Sequence, residues 1–377
     1  MEKLENRKRI LIWGTGVIGA SKLLYEMLEA QYEIIAYCDS DRTKWGTLIN
    51  GCEVKSFQEI MELSRTDAFE MILIAVYKSE TARSIQKFIV SELALAKHVE
   101  ICSYSDIKDE IENAYIKKVH KTLDFGRYRI RYWEQAEIWL DNIMSEVDFW
   151  LNHVAKETAE SRDDYCKRLT NDMFQSDLAA NAERITEYLC GIENPLVYDI
   201  GCGLAPRFGG VLPNGKKISL VEVDPLAYFY NAINEKYAPC AFKNISFGIF
   251  EYISYFFGRG TADAVIINNA LDHCIDPYKS ILECLSILKL GGVLHLNHRR
   301  TEGINGVYKG LHQWNLDYTE EDEFIIWNYD TAVNVSSRLA DMAEVQVSHS
   351  GEGGSRENQY ICVDLIKKKD FSIEDYP

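Results

Sequence analysis

A short apolar run that ends in an acid and two glycines constrains the fold of this chain more than any other stretch. Residues 197–203 read VYDIGCG, with Asp199, Gly201 and Gly203 at alternate positions. The apolar residues predict a buried strand, and the glycines predict a tight turn at its carboxyl end that can hold a small ligand. Ligands bind at this end of the strands in open α/β sheets, so the run indicates an α/β fold with a binding site.

A second predicted strand, 218–223, ends at Asp224, which lies 25 positions after Asp199. At this interval a carboxylate can accept hydrogen bonds from the hydroxyl groups of a ribose. The glycine turn and Asp224 together therefore predict a site for a ligand that contains a ribose.

Further segments continue the alternation of strands and helices. An apolar run, 264–267, leads into the polar loop 268–273, whose sequence is NNALDH. A predicted helix, 278–288, then passes through a Gly-Gly turn at 291–292 into another strand, 293–297. This order predicts a sheet whose loops collect the polar residues at its carboxyl edge.

The ordered set of motifs resembles class I S-adenosylmethionine (SAM) dependent methyltransferases over roughly residues 145–368. The segments 223–227, 269–273 and 310–315 (VDPLA, NALDH and GLHQWN) resemble more closely a bacterial subgroup associated with surface-polysaccharide gene sets. The resemblance implies a seven-stranded methyltransferase sheet with SAM bound at its edge. The residues that it implies for SAM are Asp199, Gly201, Cys202, Gly203, Asp224, Asn269 and Ala270, with Glu251 at the adenine side.

Methyl transfer to a hydroxyl requires a group that removes the hydroxyl proton, and histidine titrates near neutral pH. Three histidines, His273, His298 and His312, follow predicted strands or lie in loops at the carboxyl edge of the sheet. His273 is the preferred base, with Asp272 beside it, because in the resembling family this loop borders the methyl group. Alternatively, His273 hydrogen-bonds a backbone carbonyl and only shapes its loop.

The remaining polar residues of these loops are predicted to form the pocket for the methyl acceptor. Glu302 and His312 would line it, Gln313 would offer a hydrogen-bonding edge, and Trp314 would present an apolar face to a sugar ring.

A divalent metal ion is an alternative use of the same residues. Asp272, His273, Glu302 and His312 offer oxygen and nitrogen ligands, and some sugar methyltransferases hold neighbouring hydroxyls with such an ion. Because the spacing matches no fixed metal motif, the sequence predicts a site without a metal.

The amino-terminal stretch carries a second nucleotide-binding pattern. A predicted strand, 9–13, leads into Gly14, Gly16 and Gly19, then a helix, and Asp39 follows a second strand at the interval of a ribose-binding acid. It resembles the small Rossmann-like domains of some sugar-modifying transferases and NAD-dependent sugar enzymes, which implies a bound nucleotide or nucleotide sugar. Alternatively, these glycines only allow the helix to pack closely against the strand, and the domain binds no nucleotide.

Between these two α/β units the sequence predicts long helices, since no glycine occurs from residue 127 to 190. The apolar positions at 138–154 repeat every three or four residues, which favours packing in the core. In the resembling subgroup, Phe149–Trp150 and Arg168–Leu169 precede the SAM fold and cap the active site, which implies that Arg168 and Asp172 face the substrate. Alternatively, Arg168 and Asp172 lie on a solvated helix face. The predicted domains are therefore 1–105 (Rossmann-like), 106–190 (helical connector or cap) and 191–377 (methyltransferase).

Composition excludes several classes of function. The formal net charge of −17 and the pI near 5.0 argue against a nonspecific nucleic-acid binder, which needs a basic face. Ten cysteines without paired metal spacing and no sequence resembling a signal peptide favour a cytoplasmic protein with free thiols. No apolar run is long enough to span a bilayer. A homodimer is left open.

Three hypotheses of function remain. The first is O-methylation of a sugar or nucleotide-linked sugar in the biosynthesis of a surface glycan. The second is a noncatalytic scaffold that binds SAM and a nucleotide within a glycan-assembly complex. The third is an NAD-dependent sugar dehydrogenase or epimerase, which rests on the segment from Gly14 to Asp39 alone. The ionisable groups predicted beside a methyl donor favour the first.

Overall fold

A computed structural model shows the chain as two compact units, Met1–Leu123 and Asp124–Pro377. The boundary between them falls inside the stretch 106–190 that the sequence assigns to a connector. The structure describes residues 7–76, 78–93, 95, 98–156, 182–204, 208–239, 244–351 and 355–372.

The first unit is built on a six-stranded sheet with the order β3-β4-β2-β1-β5-β6. Its strands are β1 Lys8–Trp13, β2 Tyr32–Cys38, β3 Leu48–Ile49, β4 Cys52–Lys55, β5 Met71–Ile74 and β6 Glu100–Ser103. Its helices are α1 Lys22–Glu29, α2 Phe57–Arg65, α3 Ser79–Glu92 and α4 Tyr104–His120. The short β3 runs antiparallel to β4, whereas β4, β2, β1, β5 and β6 are parallel neighbours.

Side-chain caps explain where the first helices of this unit begin. The predicted helix starts at Ala20, but α1 starts at Lys22 because the Ser21 hydroxyl accepts the N–H of Leu24 at 3.3 Å. At α2, Ser56 and Glu59 form a reciprocal capping box.

The second unit is built on a seven-stranded sheet with the order β15-β16-β11-β10-β7-β8-β9. The strands of this sheet are β7 Leu196–Ile200, β8 Ser219–Asp224, β9 Ser246–Phe247, β10 Ala262–Asn268, β11 Leu288–Arg299, β15 Ala343–Ser350 and β16 Tyr360–Lys367. A small antiparallel sheet contains β12 Asn315–Tyr318, β13 Phe324–Trp327 and β14 Ala332–Asn334. The helices are α5 Tyr132–Lys156, α6 Ala182–Gly191, α7 Ala227–Tyr237, α8 Ile253–Phe257, α9 Pro277–Ile287, α10 Glu302–Asn305 and α11 Val335–Leu339.

The order of the parallel strands determines where a ligand can bind. The chain passes from β7 to β8 on one side, and later returns to place β10 on the other side of β7. Such a reversal opens a crevice at the carboxyl ends of the central strands. Beyond β11 the sheet continues with β16 and β15, which are antiparallel to their neighbours. The prediction of an α/β fold with a seven-stranded sheet is confirmed.

The Gly-Gly turn predicted at 291–292 is an irregularity within a strand and does not precede one. β11 already begins at Leu288, and its pairing with β10 passes from Ala262↔Leu288 to Ala264↔Val293. The extra residues of β11 are accommodated where Gly291 adopts a φ of 78°.

The long helix α5 belongs to the second unit and packs into its core. Val147 and Val154 are buried with Leu204, Leu226 and Tyr230, so the predicted apolar face does serve the core. The predicted cap residue Leu169 and the predicted substrate-facing residues Arg168 and Asp172 lie outside the described residues.

Among the helices of the described residues, none is both long enough and apolar enough to cross a membrane.

Candidate functional site

A cavity of about 430 Å³ opens at the carboxyl ends of β7, β8 and β10 in the second unit. Its wall combines the glycine turn after β7, the end of β8, the loop after β10 and one side of α5. The sequence-predicted residues that line it are Asp199, Gly201, Cys202, Gly203, Asp224, Glu251, Asn269, Ala270, His273 and His312.

The two positions of the turn after β7 require glycine for different reasons. Both adopt positive φ, 72° at Gly201 and 69° at Gly203. A Cβ on Gly201 would lie 2.6 Å from the Cβ of Ala270 and 2.8 Å from the ring of Phe250, so packing alone requires glycine there. A Cβ on Gly203 would have no neighbour within 4 Å, and this residue lines the cavity. Gly203 therefore leaves room for a ligand to approach the backbone.

The carboxylate of Asp224 is held at the end of β8 by two backbone groups. Gly203 N–H donates to its Oδ2 at 3.0 Å, and Leu226 N–H donates to its Oδ1 at 2.8 Å. Each oxygen has a second lone pair that can accept a hydrogen bond from a ligand hydroxyl. The pKa of Asp224 is raised to about 6, because burial and the negative charge of Glu146 together outweigh the opposite effect of the two N–H groups.

Two other acids line the cavity and are almost fully buried. Asp199 and Glu251 are each 2% exposed. Oε1 of Glu251 accepts the N–H of Asp276 at 3.0 Å, and burial raises the pKa of Glu251. This carboxylate therefore ties down the chain before α9, and its contact with an adenine stays a prediction.

The loop after β10 is fixed by Asn269, which adopts a φ of 51°. Its N–H donates to the carbonyl of Asn297 at 2.8 Å, and its side-chain Oδ1 accepts the N–H of Arg299 at 2.9 Å. These bonds join the ends of β10 and β11, and a short 3-10 turn, Leu271–His273, follows at once. The turn brings Asp272 and His273 to the carboxyl edge of the sheet.

Asp272 is the centre of a cluster of histidines. Its fully buried carboxylate contacts His298 Nε2 through Oδ1 at 2.9 Å and His312 Nδ1 through Oδ2 at 2.7 Å. His273 Nε2 lies 3.7 Å from the same Oδ2 and 3.2 Å from His312 Nδ1. Two imidazole rings from loops and one from the end of β11 therefore converge on one carboxylate.

Asp272 and the histidines around it shift one another's pKa values. Burial disfavours the charged form of Asp272, but the charges of His273 and His298 and the imidazole hydrogen bonds hold its pKa well below the usual range. Burial lowers the pKa of both His298 and His312, but Asp272 raises both by more, and that of His312 reaches about 9. His298 also faces the carbonyl of Arg299 with Nδ1 at 2.8 Å, so both of its nitrogens meet acceptors.

The structure distinguishes the residues that reach the cavity from those behind it. His273 and His312 line the cavity, whereas His298 is 1% exposed and Glu302 is 6% exposed. Glu302 lies 3.7 Å from the guanidinium of Arg299. Glu302 and His298 can therefore act on a ligand in the cavity only through other residues, and the assignment of His273 as base stays a prediction.

The predicted roles of Gln313 and Trp314 differ from what the structure shows. Trp314 is fully buried, and its ring N–H donates to the carbonyl of Cys274 at 3.0 Å. Gln313 donates through Nε2 to the carbonyls of Tyr308 and Gly310. The prediction that Trp314 presents a face to a sugar is wrong, because this ring is packed beneath the loop that carries His312.

The helix α5 supplies the other wall of the cavity. Trp139, Ile143, Glu146, Phe149 and Trp150 all line it. The negative charge of Glu146 contributes to the raised pKa of both Asp224 and His312.

Comparisons with known proteins agree with this geometry. Residues 198–296 match a family described as a methyltransferase domain. The second unit therefore carries a segment that matches a methyltransferase domain. Residues 6–99 match a family described as C2185-like, N-terminal. A search of the curated proteins finds none that matches the chain.

Solved structures similar to the chain include several methyltransferases. The CurJ carbon methyltransferase is 15% identical with a TM-score of 0.36, covering 49% of this chain and 52% of its own. A SAM-dependent methyltransferase from Aquifex aeolicus is 16% identical, with 54% and 97% coverage and a TM-score of 0.32. The N-methyltransferase NodS from Bradyrhizobium japonicum WM9, in complex with S-adenosyl-L-homocysteine, is 14% identical, with 55% and 98% coverage and a TM-score of 0.32. The chain thus spans about half the length of CurJ.

Sequence analysis missed one residue of the methyltransferase domain that a helical pattern could have identified. Trp139, Ile143, Glu146 and Trp150 are spaced by three or four residues and so share one face of α5. The apolar members were assigned to the core, Trp150 also to a cap of the active site, and the single acid among them was not considered. A charged residue on an otherwise apolar face is the signal that separates a wall of a cavity from a core.

In the first unit, two of the three predicted glycines are explained by packing. A Cβ on Gly19 would lie 1.8 Å from the carbonyl oxygen of Gly14, and Gly14 has a φ of 104°. A Cβ on Gly16 would have no neighbour within 4 Å. Oδ2 of Asp39 accepts the N–H of Thr15 at 2.8 Å and lies 3.3 Å from Lys44 Nζ. Nucleotide binding by this unit stays a prediction, with Gly16 its most accessible part.

Proposed function

We propose that this chain transfers a methyl group from SAM to a hydroxyl group of a small polar acceptor, in the first instance a sugar or nucleotide-linked sugar. The observation that carries the proposal is the position of the Asp272 cluster. His273 and His312 line the same cavity as the glycine turn and Asp224, so donor and acceptor groups would meet within one enclosed space.

The cavity wall from β7 to β8 fits the adenosyl part of SAM. Gly203 leaves space against the backbone, and Asp224 offers two carboxylate oxygens to the ribose hydroxyls. Glu146 lines the same cavity, and its negative charge would stabilise the positively charged sulfonium.

The other side of the cavity fits a sugar. Trp139 and Trp150 of α5 offer aromatic faces, which pack against the apolar face of a sugar ring. The imidazoles of His273 and His312 offer hydrogen-bonding groups opposite them. The segments that resemble the polysaccharide-associated subgroup, 269–273 and 310–315, are those that carry these histidines, and on this basis we extend the proposal to glycan biosynthesis.

SAM supplies an electrophilic methyl group on a sulfonium. The acceptor oxygen forms a bond to the methyl carbon while the carbon–sulfur bond breaks, and the electron pair of that bond stays on sulfur. In a site that contains no ion, the hydroxyl proton passes to His273. The chain contributes by aligning the two molecules, excluding water and providing this proton acceptor.

The direct test is the formation of S-adenosylhomocysteine from SAM in the presence of a panel of sugars and nucleotide-linked sugars. We expect turnover with at least one hydroxyl acceptor. The variant His273→Ala should lower turnover by about 100- to 10,000-fold and leave the Kd for SAM nearly unchanged. A matched control is His349→Ala, which removes a histidine paired with Asp322 outside the cavity lining.

Two results would contradict the proposal. Tight SAM binding with no turnover on any acceptor of the panel would favour the noncatalytic scaffold. Wild-type turnover in His273→Ala would remove this histidine from the reaction.

A further inference from the structure

Three donor atoms converge where the loop after β10 meets the loop before β12. They are Oδ2 of Asp272, Nε2 of His273 and Nδ1 of His312, and they lie within 4.8 Å of one another. We infer that these atoms bind one divalent transition-metal ion at the edge of the cavity.

The distances between the donors fit a shared ion. His312 Nδ1 lies 2.7 Å from Asp272 Oδ2 and 3.2 Å from His273 Nε2, and the third separation, between His273 Nε2 and Asp272 Oδ2, is 3.7 Å. Ligands that are each about 2.1 Å from one ion, and that occupy one face of an octahedron, are separated by about 3 Å. The three atoms are thus already spaced as one face of a coordination shell.

Protons alone satisfy this arrangement poorly. A proton on Nδ1 of His312 has two acceptors within reach, Asp272 Oδ2 and His273 Nε2, and can point well at only one of them. If the proton is instead on His273 Nε2, then His312 Nδ1 carries a lone pair. That lone pair faces the lone pairs of the Asp272 Oδ2 atom at 2.7 Å, with no proton between them. An ion between the three atoms accepts all three lone pairs at once.

A buried partner holds the carboxylate in the required orientation. His298 Nε2 contacts Oδ1 of Asp272 at 2.9 Å, and His298 Nδ1 faces the carbonyl of Arg299 at 2.8 Å. Oδ2 is thereby left for the two imidazoles of the cluster. Carboxylate ligands of metal ions are typically fixed by a second hydrogen-bonded group in this way.

The remaining coordination positions face the cavity. The side chains of His273 and His312 are 23% and 37% exposed, whereas Asp272 is fully buried behind them. A site with three protein ligands on one side and an open cavity on the other can bind substrate atoms, as catalytic metal sites do.

The donor set selects the kind of ion. Two imidazoles and one carboxylate suit Mn²⁺, Fe²⁺, Co²⁺ or Zn²⁺, whereas Mg²⁺ and Ca²⁺ prefer oxygen ligands. We therefore expect a transition metal to bind more tightly than Mg²⁺.

The role of the ion rests on the proposed function, although its binding does not. The acceptor hydroxyl would bind the ion through oxygen, which lowers the pKa of that hydroxyl. Its proton would then pass to water in the cavity and not to His273, as the oxygen bonds to the methyl carbon and the electron pair of the broken carbon–sulfur bond stays on sulfur.

The test is titration of the metal-free full-length protein with Mn²⁺ and with Zn²⁺, followed by calorimetry and, for Mn²⁺, by electron paramagnetic resonance, without SAM or acceptor. We expect one saturable site per chain. Both His273→Ala and His312→Ala should weaken binding at least tenfold, and His298→Gln should weaken it by about 10- to 100-fold. The control His98→Ala, which removes an exposed histidine paired with Asp67, should bind as the wild type does.

Absence of saturable binding to the wild-type protein would overturn the inference. So would binding that His273→Ala and His312→Ala leave unchanged while circular dichroism shows both variants folded. A separate SAM titration distinguishes this failure from that of the proposed function. A protein that binds SAM but no metal would contradict the metal site and leave the proposed function standing. If the protein binds the metal but its activity survives chelation, then the ion has no role in turnover.

Discussion

At the scale of single residues, two buried carboxylates carry the account of the site. Asp272 orients His273 and His312 at one end of the cavity, and Asp224 holds the glycine turn at the other. The position of Asp224 follows from its interval after Asp199, so sequence could predict it. The convergence of His312 on Asp272 could not be predicted, because the two residues are 40 positions apart and come from different loops.

Replacing Asp224 with asparagine tests the first of these carboxylates. Asp224→Asn keeps the shape of the side chain but removes its charge and one of its two acceptors. We expect SAM binding to weaken by on the order of 1–3 kcal/mol, measured by calorimetry. Glu235→Gln, which removes an exposed acid from the neighbouring helix α7, is the control. Equal SAM affinity in a folded Asp224→Asn protein would show that the ribose binds elsewhere.

The pH dependence of SAM binding gives a second test of the same residue. The pKa of Asp224 is raised to about 6, chiefly by burial and in addition by the negative charge of Glu146 on α5. Tyr230 of α7 and Cys202 also face Asp224, but burial raises the pKa of each above its usual value, so both stay neutral near pH 6.

Only the ionised carboxylate accepts two ribose hydrogen bonds, so SAM affinity should rise as the pH increases from 5 to 7 and then level off. The Asp224→Asn protein should lack this step. A wild-type affinity that is flat over the same interval would contradict the assignment.

At the scale of elements, sequence predicts the strands well and the connections less well. β7 and β10 were predictable because their apolar runs are bounded by glycine or polar turns. β11 begins five residues earlier than the predicted strand at 293, because tertiary pairing with β10 extends it through the Gly-Gly segment. The sheet of β12, β13 and β14 was not predicted, since its pairings join segments whose register no local pattern specifies.

A buried ion pair between β11 and β16 makes stability depend on pH. His295 Nδ1 lies 2.6 Å from Asp364 Oδ1, and the two residues are cross-strand neighbours. Burial lowers the pKa of His295, but the hydrogen bonds and charges of Asp364 and Cys362 together outweigh this effect and raise the pKa to about 9.

The folded-state pKa of His295 is above the unfolded value of about 6.5, so its contribution is fully present below about pH 6.5 and is lost as pH rises through 9. The free energy of unfolding in urea should fall by up to roughly 3 kcal/mol across this interval. His295→Gln should remove most of that fall. A wild-type unfolding free energy that stays constant from pH 6 to 9.5 would contradict the assignment.

At the scale of the whole molecule, two α/β units share one chain. The second contains the cavity and matches a methyltransferase domain, and the first matches the family described as C2185-like, N-terminal. Composition argued against a nonspecific nucleic-acid binder but could not identify a ligand for the first unit. The glycines there were predictable from their spacing. Their roles were not, because only coordinates show that Gly19 packs against Gly14 and Gly16 faces open space.

Gly16 therefore permits a selective test of the first unit. Gly16→Val adds a side chain where a Cβ meets no neighbour within 4 Å, so the unit should fold while the approach of a pyrophosphate is blocked. We expect the full-length protein to bind a nucleotide or nucleotide sugar, and Gly16→Val to lose that binding but keep its SAM affinity. Identical nucleotide titrations for both proteins, or no saturable binding to the wild type, would show that the glycines serve packing alone.

The central claim is that a single cavity of the second unit holds SAM beside the Asp272 cluster. A crystal structure of the chain with S-adenosylhomocysteine tests it most directly. The account predicts ribose hydroxyls within hydrogen-bonding distance of Asp224 and a sulfur atom that faces His273 and His312. Density for S-adenosylhomocysteine outside this cavity, or with its sulfur turned away from both histidines, would contradict the account.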